Sequence, residues 1–408
     1  MSGANRRARD PEAGRAPQAA ERWGVFELPL PGAEPGDEVV FTRGERRFTS
    51  AAFAGERGGC LARFLPDEEG EWRYRSAWGE GAFRCTPAGP GNHGPVRAGE
   101  SGFRHADGLP FHPFGTTLGE AGDTALRALA DGPFNRVRLR CPASLPLDRL
   151  DAQVRALLAL GIEAEVPLEG RDIRETVSRL AAYRNVWWCA PRDPEAQATV
   201  LEHDYGHHPL TVHGGPGTDF GAPWITHVSL RQEETRLVAG LTAELGKPVL
   251  IDDCGAEGDA PEPEGSLPAP VLVSRIWEGV CQGGWVTHRE TYGPRPWEEG
   301  GELRGESAAR IAFLRGILAG APAGLRHNPL YYDASTLEAP GEYCLQYLGP
   351  HRYSSRTFAL PRGTWLVEVI DAWNMRVGAP RRVRADRIEV ALPADPYCAI
   401  RVRRAPGA

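Results

Sequence analysis

EETRLVAGLTAELG (residues 233–246) runs directly into KPVLIDDC (247–254). The first stretch repeats apolar residues at helical spacing, through Leu237, Val238, Leu241 and Leu245. The second is a short apolar run that ends in two aspartates, as a buried strand would. A helix feeding a strand in this way is half of a βαβ unit, and repetition of that unit implies a parallel sheet.

The same alternation extends in both directions. Seven further apolar runs precede or follow this one: HPFGTT (112–117), NRVRLR (135–140), IEAEVPL (162–168), NVWWCA (185–190), PLTVHG (209–214), WITHVSL (224–230) and GWVTHRET (284–291). LDRLDAQVRALLALG, IRETVSRLAAY and SRIWEGVCQ, which lie between runs, and the closing SAARIAFLRGILAG carry the helical period. Eight strands alternating with helices predict a (β/α)₈ (TIM) barrel over 103–325. The connection GPGTDFGAP, between the fifth and sixth runs, is too short for a full helix.

Outside that span the period changes to two. WGVFELPL, EVVFTRG, CLARFLP, EWRYRSAW and GAFRCTP are short alternating segments separated by turn residues, with Gly70 placed for a tight turn. They predict an N-terminal all-β sandwich of immunoglobulin-like type over 21–97. GPGNHGP (89–95) reads as a linker. EYCLQYL, TFALP, TWLVEVIDAW, RIEVALP and YCAIRVR predict a C-terminal all-β sandwich over 326–408. Residues 1–20 have no apolar core segment and read as a disordered tail, not a signal peptide.

Composition narrows the function. The chain has 408 residues, 41% hydrophobic and 25% charged, with a net charge of −7. A mildly acidic chain is a poor match for nucleic acid or an anionic membrane. No apolar run approaches a membrane span, and with no signal peptide read in the first twenty residues the expected location is cytoplasmic. Eight cysteines are scattered with no C-x-x-C pair, and the histidines of HDYGHH (203–208) lack ligand spacing. Buried thiols are expected, with no metal site and no cofactor. Nothing in the pattern selects an oligomeric state.

Barrel enzymes place their chemistry at the C-terminal ends of the strands. There stand Arg192 and Asp193 after the fourth run, His213 in the fifth, His227 in the sixth, Asp253 in the seventh, and His288, Glu290 and Tyr292 in and after the eighth. A carboxylate pair from strands four and seven is what glycoside hydrolysis needs. Asp193 also precedes Pro194, and Asp-Pro suits a helix N-cap equally well. Trp187 and Trp188 read as core.

Long motifs carry a resemblance. ERWGVFEL, RFLPDEEGEWRYR and PGNHGPVR lie in the first part of the chain. In the barrel stand DGLPFHPFGTT, PFNRVRLR, GKPVLIDDCGAEG and WEGVCQGGWVTHRETY, and near the end FALPRGTWLVEVIDAWNM and LPADPYCAIRVR. Together they resemble a family of bacterial three-domain proteins with an N-terminal β-sandwich of unknown function, an apiosidase-like glycoside hydrolase barrel and a C-terminal β-sandwich. The resemblance covers nearly everything after residue 20. It implies a carbohydrate partner, hydrolysis of O-glycosidic bonds, and Asp193 and Asp253 as the catalytic carboxylates. Arg192, His213, His227, His288, Glu290 and Tyr292 would then bind substrate.

Departures from that family bear on activity. It carries Asn-Glu where this chain has Arg192-Asp193, and Asp-Glu-Cys-Gly where this chain has Asp252-Asp253-Cys254-Gly255. Its aromatic and histidine cluster after FGTT is replaced by Leu118-Gly119-Glu120. Both catalytic glutamates are thus aspartates, and Arg192 sets a cation beside the would-be proton donor. Two readings stand: a divergent glycosidase, towards which the family leans, and a non-catalytic barrel that binds a glycan or a protein.

Overall fold

The computed structural model describes residues 17–55, 58–100 and 102–406. Most of the stretch read as a disordered tail, residues 1–16, lies outside the described residues. Ala19 and Ala20, also read as tail, instead begin a strand (Ala19–Glu21) that pairs in parallel with Arg84–Thr86.

Eight parallel strands form the middle of the molecule. Strand one is Gly115–Leu118, two Arg136–Leu139, three Glu163–Pro167 and four Val186–Cys189. Strand five is split into Leu210–Thr211 and His213–Gly214; six is Val228–Arg231, seven Val249–Asp253 and eight Trp285–Val286. They pair in that order. Just past strand eight, the His288 N–H donates to the Gly115 carbonyl at 2.9 Å, and the Thr117 N–H donates to the His288 carbonyl at 3.0 Å. Those two bonds join the eighth strand to the first, and the fold is a TIM barrel flanked by β domains.

Helices α1 (Asp123–Asp131), α2 (Leu147–Ala159), α3 (Ile173–Leu180), α4 (Pro194–His203), α5 (Val238–Leu245), α6 (Ala269–Cys281) and α7 (Ser307–Ala319) cover the outside. As the length of GPGTDFGAP requires, no helix lies between strands five and six. Local chemistry sets several helix ends. Asp172 accepts the Glu175 N–H at 2.9 Å and starts α3, while α5 stops at Gly246, whose φ of 62° suits glycine. Apolar residues on the outer faces of the strands, such as Val137, Val166, Val228 and Ile251, meet Leu150, Val154, Leu157 and Leu272 from the helices. Each fully buried aliphatic side chain stabilises the fold by roughly 1.5–3 kcal/mol.

The N-terminal β unit encloses an aromatic core of Phe26, Phe41, Phe64, Trp72 and Phe83 between a five-stranded and a three-stranded sheet. Gly70 turns at φ 115°, as its place in the sequence requires. GPGNHGP is an anchor more than a linker: Asn92 is buried and donates to both the Glu21 carboxylate and the Arg22 carbonyl. The C-terminal β unit is a curled antiparallel sheet built on the 17-residue strand Ser355–Asp371, closing over its own core in sandwich-like fashion. Its other face shares the barrel core, with Trp277 of α6 stacked on Tyr347 at 5.4 Å and Arg310 of α7 over Trp373 at 3.6 Å. All eight cysteines are buried free thiols. Among the described residues, no helix is long and apolar enough to cross a membrane.

One buried ion pair fastens the first β unit to the barrel. Arg63 and Asp151 of α2 are 4% and 1% exposed and meet at 2.8 Å. Arg63 also donates to the Arg179 carbonyl, and Tyr183 donates to Asp151. Removing Arg63 takes the nearest cation from a buried carboxylate and leaves it with Arg155 at 3.3 Å and Arg179 at 3.9 Å. Arg63→Met is expected to cost up to about 3 kcal/mol and to lower the melting temperature. The double variant Arg63→Met/Asp151→Leu should regain part of that loss. A single variant as stable as the parent would show that the pair does not fasten the two units.

Candidate functional site

Alternation along the strands fills the barrel interior in layers. The floor is aromatic. Val96, Phe103 and Phe111, from the segment leading into the barrel, pack on Trp187 and Leu250. Phe103 lies 4.8 Å from the Trp187 ring, and His227 lies 5.1 Å from it. The Trp187 indole donates to Glu163 at 2.8 Å, and burial pushes that carboxyl up to about 8. His227, expected to touch substrate, belongs to this sealed floor. Burial brings it down to about 3.

The middle layer is ionic. Arg136 is wholly buried and donates to Asp252 of strand seven at 2.7 Å and to Glu165 of strand three. Ser229 and Thr287 each donate to Asp252 at 2.6 Å. Burial alone would raise Asp252; Arg136, Arg138 and the hydroxyls outweigh it and hold the carboxyl far below its ordinary range. Gly115 makes room for the guanidinium, since a Cβ there would stand 3.2 Å from the Arg136 Nη1.

The mouth lies above. Arg138 forms an ion pair with Glu165 at 3.0 Å and approaches His213 Nε2 at 3.4 Å. The arginine donates, so the His213 proton sits on Nδ1 and goes to Ser229 at 3.1 Å. Burial and then Arg138 bring His213 down to about 4. A cavity of about 580 Å³ opens here, lined by Arg138, Arg140, Arg231, Arg289, Asp253 and Glu264 among others. Asp253 is 17% exposed and clasped by Arg289, with Arg231 at 3.5 Å. Burial opposes ionisation of Asp253, but Arg289 and the Gly255 N–H prevail and lower its pKa.

Asp193 stands apart from this cavity. It is exposed, and its carboxylate accepts the Ala196 N–H at 3.1 Å as the N-cap of α4, with Pro194 in the first turn. Arg192 turns away from it and donates to Thr218 at 2.9 Å and to the His213 carbonyl at 3.2 Å. A Cβ on Gly214 would stand 2.4 Å from that guanidinium. Asp253, Arg138 and His213 therefore come together at the mouth, with Arg192 over the end of strand five.

His288, Glu290 and Tyr292 gather elsewhere, under the start of α7. His288 is fully buried, engages Thr116 at 3.0 Å and is brought by burial down to about 3. Glu290 accepts the Arg304 N–H at 2.6 Å, and burial raises its pKa. Glu257, unremarked in the sequence, accepts the Glu306 and Ser307 N–H groups at 2.8 and 3.0 Å and so caps α7 from a distant loop. The Tyr292 hydroxyl points to the same carboxylate at 3.5 Å.

The arginines were the missed residues. NRVRLR places Arg136, Arg138 and Arg140 at alternate positions. On a barrel strand that spacing aims all three at one face, while Val137 and Leu139 face the helices.

Comparisons with known proteins agree with this architecture. Residues 332–403 match a domain of unknown function (DUF5605). No curated protein matches the chain. A crystal structure of a candidate glycoside hydrolase from Bacteroides vulgatus ATCC 8482 is similar at 27% identity, with a TM-score of 0.85, over 95% of this chain and 100% of that one. A second structure, described only as a glycoside hydrolase, gives 12% identity and a TM-score of 0.63 over 79% and 100% of the two chains. A family 5 glycoside hydrolase, also from Bacteroides vulgatus ATCC 8482, gives 14% and 0.60 over 77% and 94%. The last two show likeness of fold alone.

The buried groups set how the fold responds first to acid and second to chelators. In the unfolded chain each histidine titrates near ~6.5, whereas His213, His227 and His288 stay neutral in the fold down to about 4, 3 and 3. Below about pH 6.5 the unfolded state alone takes up these protons, so stability is intact above that value and falls as the pH drops. His227→Phe keeps the aromatic floor and should remove up to about 1.4 kcal/mol per pH unit from the acid limb. An unchanged slope of stability against pH would show that His227 is not held neutral.

The second concerns metal. Glu257, His288 and Glu290 are the group among the described residues that could hold a cation, with ligand atoms within 4.8 Å of one another. Glu257 is already engaged by backbone donors and His288 Nδ1 by Thr116, while His288 Nε2 and Glu290 Oε2 face each other at 3.8 Å. Dialysis against EDTA is expected to leave the melting temperature unchanged. A fall reversed by a divalent ion would place a cation there.

Proposed function

We propose that the protein is a glycoside hydrolase-like, carbohydrate-binding barrel of apiosidase-like type, with 21–97, 103–325 and 326–408 as its three units, in which hydrolysis of O-glycosidic bonds is lost or vestigial. The carrying observation is the position of Asp193. A general acid for glycoside hydrolysis is a sheltered carboxyl beside the scissile bond. Asp193 is solvent-exposed and capping a helix, outside the cavity that Asp253 lines. A carbohydrate ligand is supported by the likeness to the Bacteroides vulgatus candidate glycoside hydrolase. A cytoplasmic location is part of the same proposal and rests on the sequence alone.

A residual hydrolase is the second reading, and Asp253 favours it. That residue is on the wall of the mouth, where barrel enzymes do their chemistry. Retaining enzymes hold their carboxyls about 5–5.5 Å apart and inverting ones roughly 6.5–9.5 Å. Glu-to-Asp shortening on both sides widens such a gap by up to about 2–3 Å, so any remaining hydrolysis should invert configuration.

The test is activity on aryl glycosides for the parent, Asp193→Glu, Asp253→Glu and the double variant. No turnover in any of them is the expected result. A gain of about a hundredfold or more in the double variant would mark an eroded but recoverable site. Efficient hydrolysis by the parent chain would overturn the proposal.

A further inference from the structure

We propose that the mouth of the barrel takes an acidic sugar, one carrying a carboxylate or a sulfate group, and that Arg140 and Arg231 receive that group. The inference rests on the carbohydrate-binding reading above and specifies its ligand class.

The cavity wall carries four arginines and two carboxylates, and two further carboxylates, Glu165 and Glu298, pair with those arginines from behind it. The four arginines are not equivalent. Arg138 and Arg289 are 20% and 15% exposed and committed to Glu165 and to Asp253 and Glu298. They belong to the scaffold of the site. Arg231 is 62% exposed; its nearest carboxylates, Asp253 and Glu264, are 3.5 and 4.0 Å away, and its guanidinium makes no hydrogen bond to the described residues. Arg140 is 59% exposed and bonds Glu298 through one nitrogen, leaving the rest of its fork open. Two guanidinium groups with spare donors therefore face one concavity. Arginine's planar fork matches the paired oxygens of a carboxylate or sulfate.

The remaining wall points the same way. Its other members include Thr117, Leu139, Pro142 and Pro167, and none of the described residues lining it is aromatic. A neutral sugar held by ring stacking would find no platform. At about 580 Å³ the space is within the ~300–1,000 Å³ range of small-ligand sites and suits a short saccharide.

Isothermal titration calorimetry on the full chain tests this with four probes: a galacturonic acid trisaccharide, a sulfated disaccharide, a neutral trisaccharide and inorganic sulfate. At least one acidic sugar is expected to bind about tenfold or more tighter than the neutral one, and to weaken as salt is raised. Arg140→Gln/Arg231→Gln, at two exposed positions outside the buried network, should lose about tenfold or more of that affinity while keeping the parent melting temperature. Equal binding of acidic and neutral sugars would overturn the acidic-ligand inference and leave the carbohydrate reading intact. Sulfate binding as tightly as either acidic sugar would overturn the carbohydrate reading, since the ring would then contribute nothing. Binding of none of the probes would overturn both. Undiminished binding by a folded double variant would remove Arg140 and Arg231 from the site.

Discussion

The barrel is organised around one guanidinium. Arg136 lies inside a closed ring of strands, away from water, where an unpaired charge would be very costly. Asp252 and Glu165 neutralise it from strands seven and three, so the pair spans the barrel instead of running along one edge. Ser229 and Thr287 donate to Asp252, and Arg138 stands in ion-pair contact with Glu165. Strands two, three, six, seven and eight are thereby tied by directional bonds as well as by packing. A buried pair of this kind adds little net stability over an apolar filling, but breaking it leaves an orphan charge and costs about 3–5 kcal/mol. The interior accordingly tolerates little substitution, and Gly115 is confined by the same group.

From that layer the two ends of the barrel diverge. Below it the interior becomes aromatic and is sealed by the chain leading into strand one, so His227 and Trp187 are structural. Above it the charges continue outward. Arg138 shares Glu165 with Arg136, Arg289 takes Asp253, and Arg140 and Arg231 stand at the rim. The polarity of the mouth is thus continuous with the ionic core.

This arrangement gives the two aspartates different fates. Asp253 ends a barrel strand, so its backbone delivers it to the mouth whatever its length. Asp193 follows strand four by a few residues and precedes Pro194, which a helix accepts in its first turn; its side chain closes back on the Ala196 N–H. A carboxylate engaged as a cap has one oxygen committed and is tethered to its own helix. Loss of one methylene matters less here than the local bond that an aspartate before Pro194 is suited to make.

Periodicity made most of the architecture legible in the sequence. The eight strands, the missing helix after strand five, the β units at both ends and the buried tryptophans all follow from apolar spacing, because burial of apolar surface drives those choices locally. The N-cap reading of Asp193 was legible too, since a cap is made with neighbours three residues away. Contacts across the barrel were not. That Arg136 meets Asp252, that Glu257 caps a helix starting at Ser307, and that His288 and Glu290 gather under α7 while His213 joins the mouth, depend on which face each strand residue takes and on what lies opposite it. The sequence by itself determined the kinds of element and their order, because hydrophobic period acts within a segment. Only the closed barrel decided which charges became partners, because charges more than a hundred residues apart, such as Arg136 and Asp252, acquire a common low-dielectric interior only when the eighth strand bonds to the first.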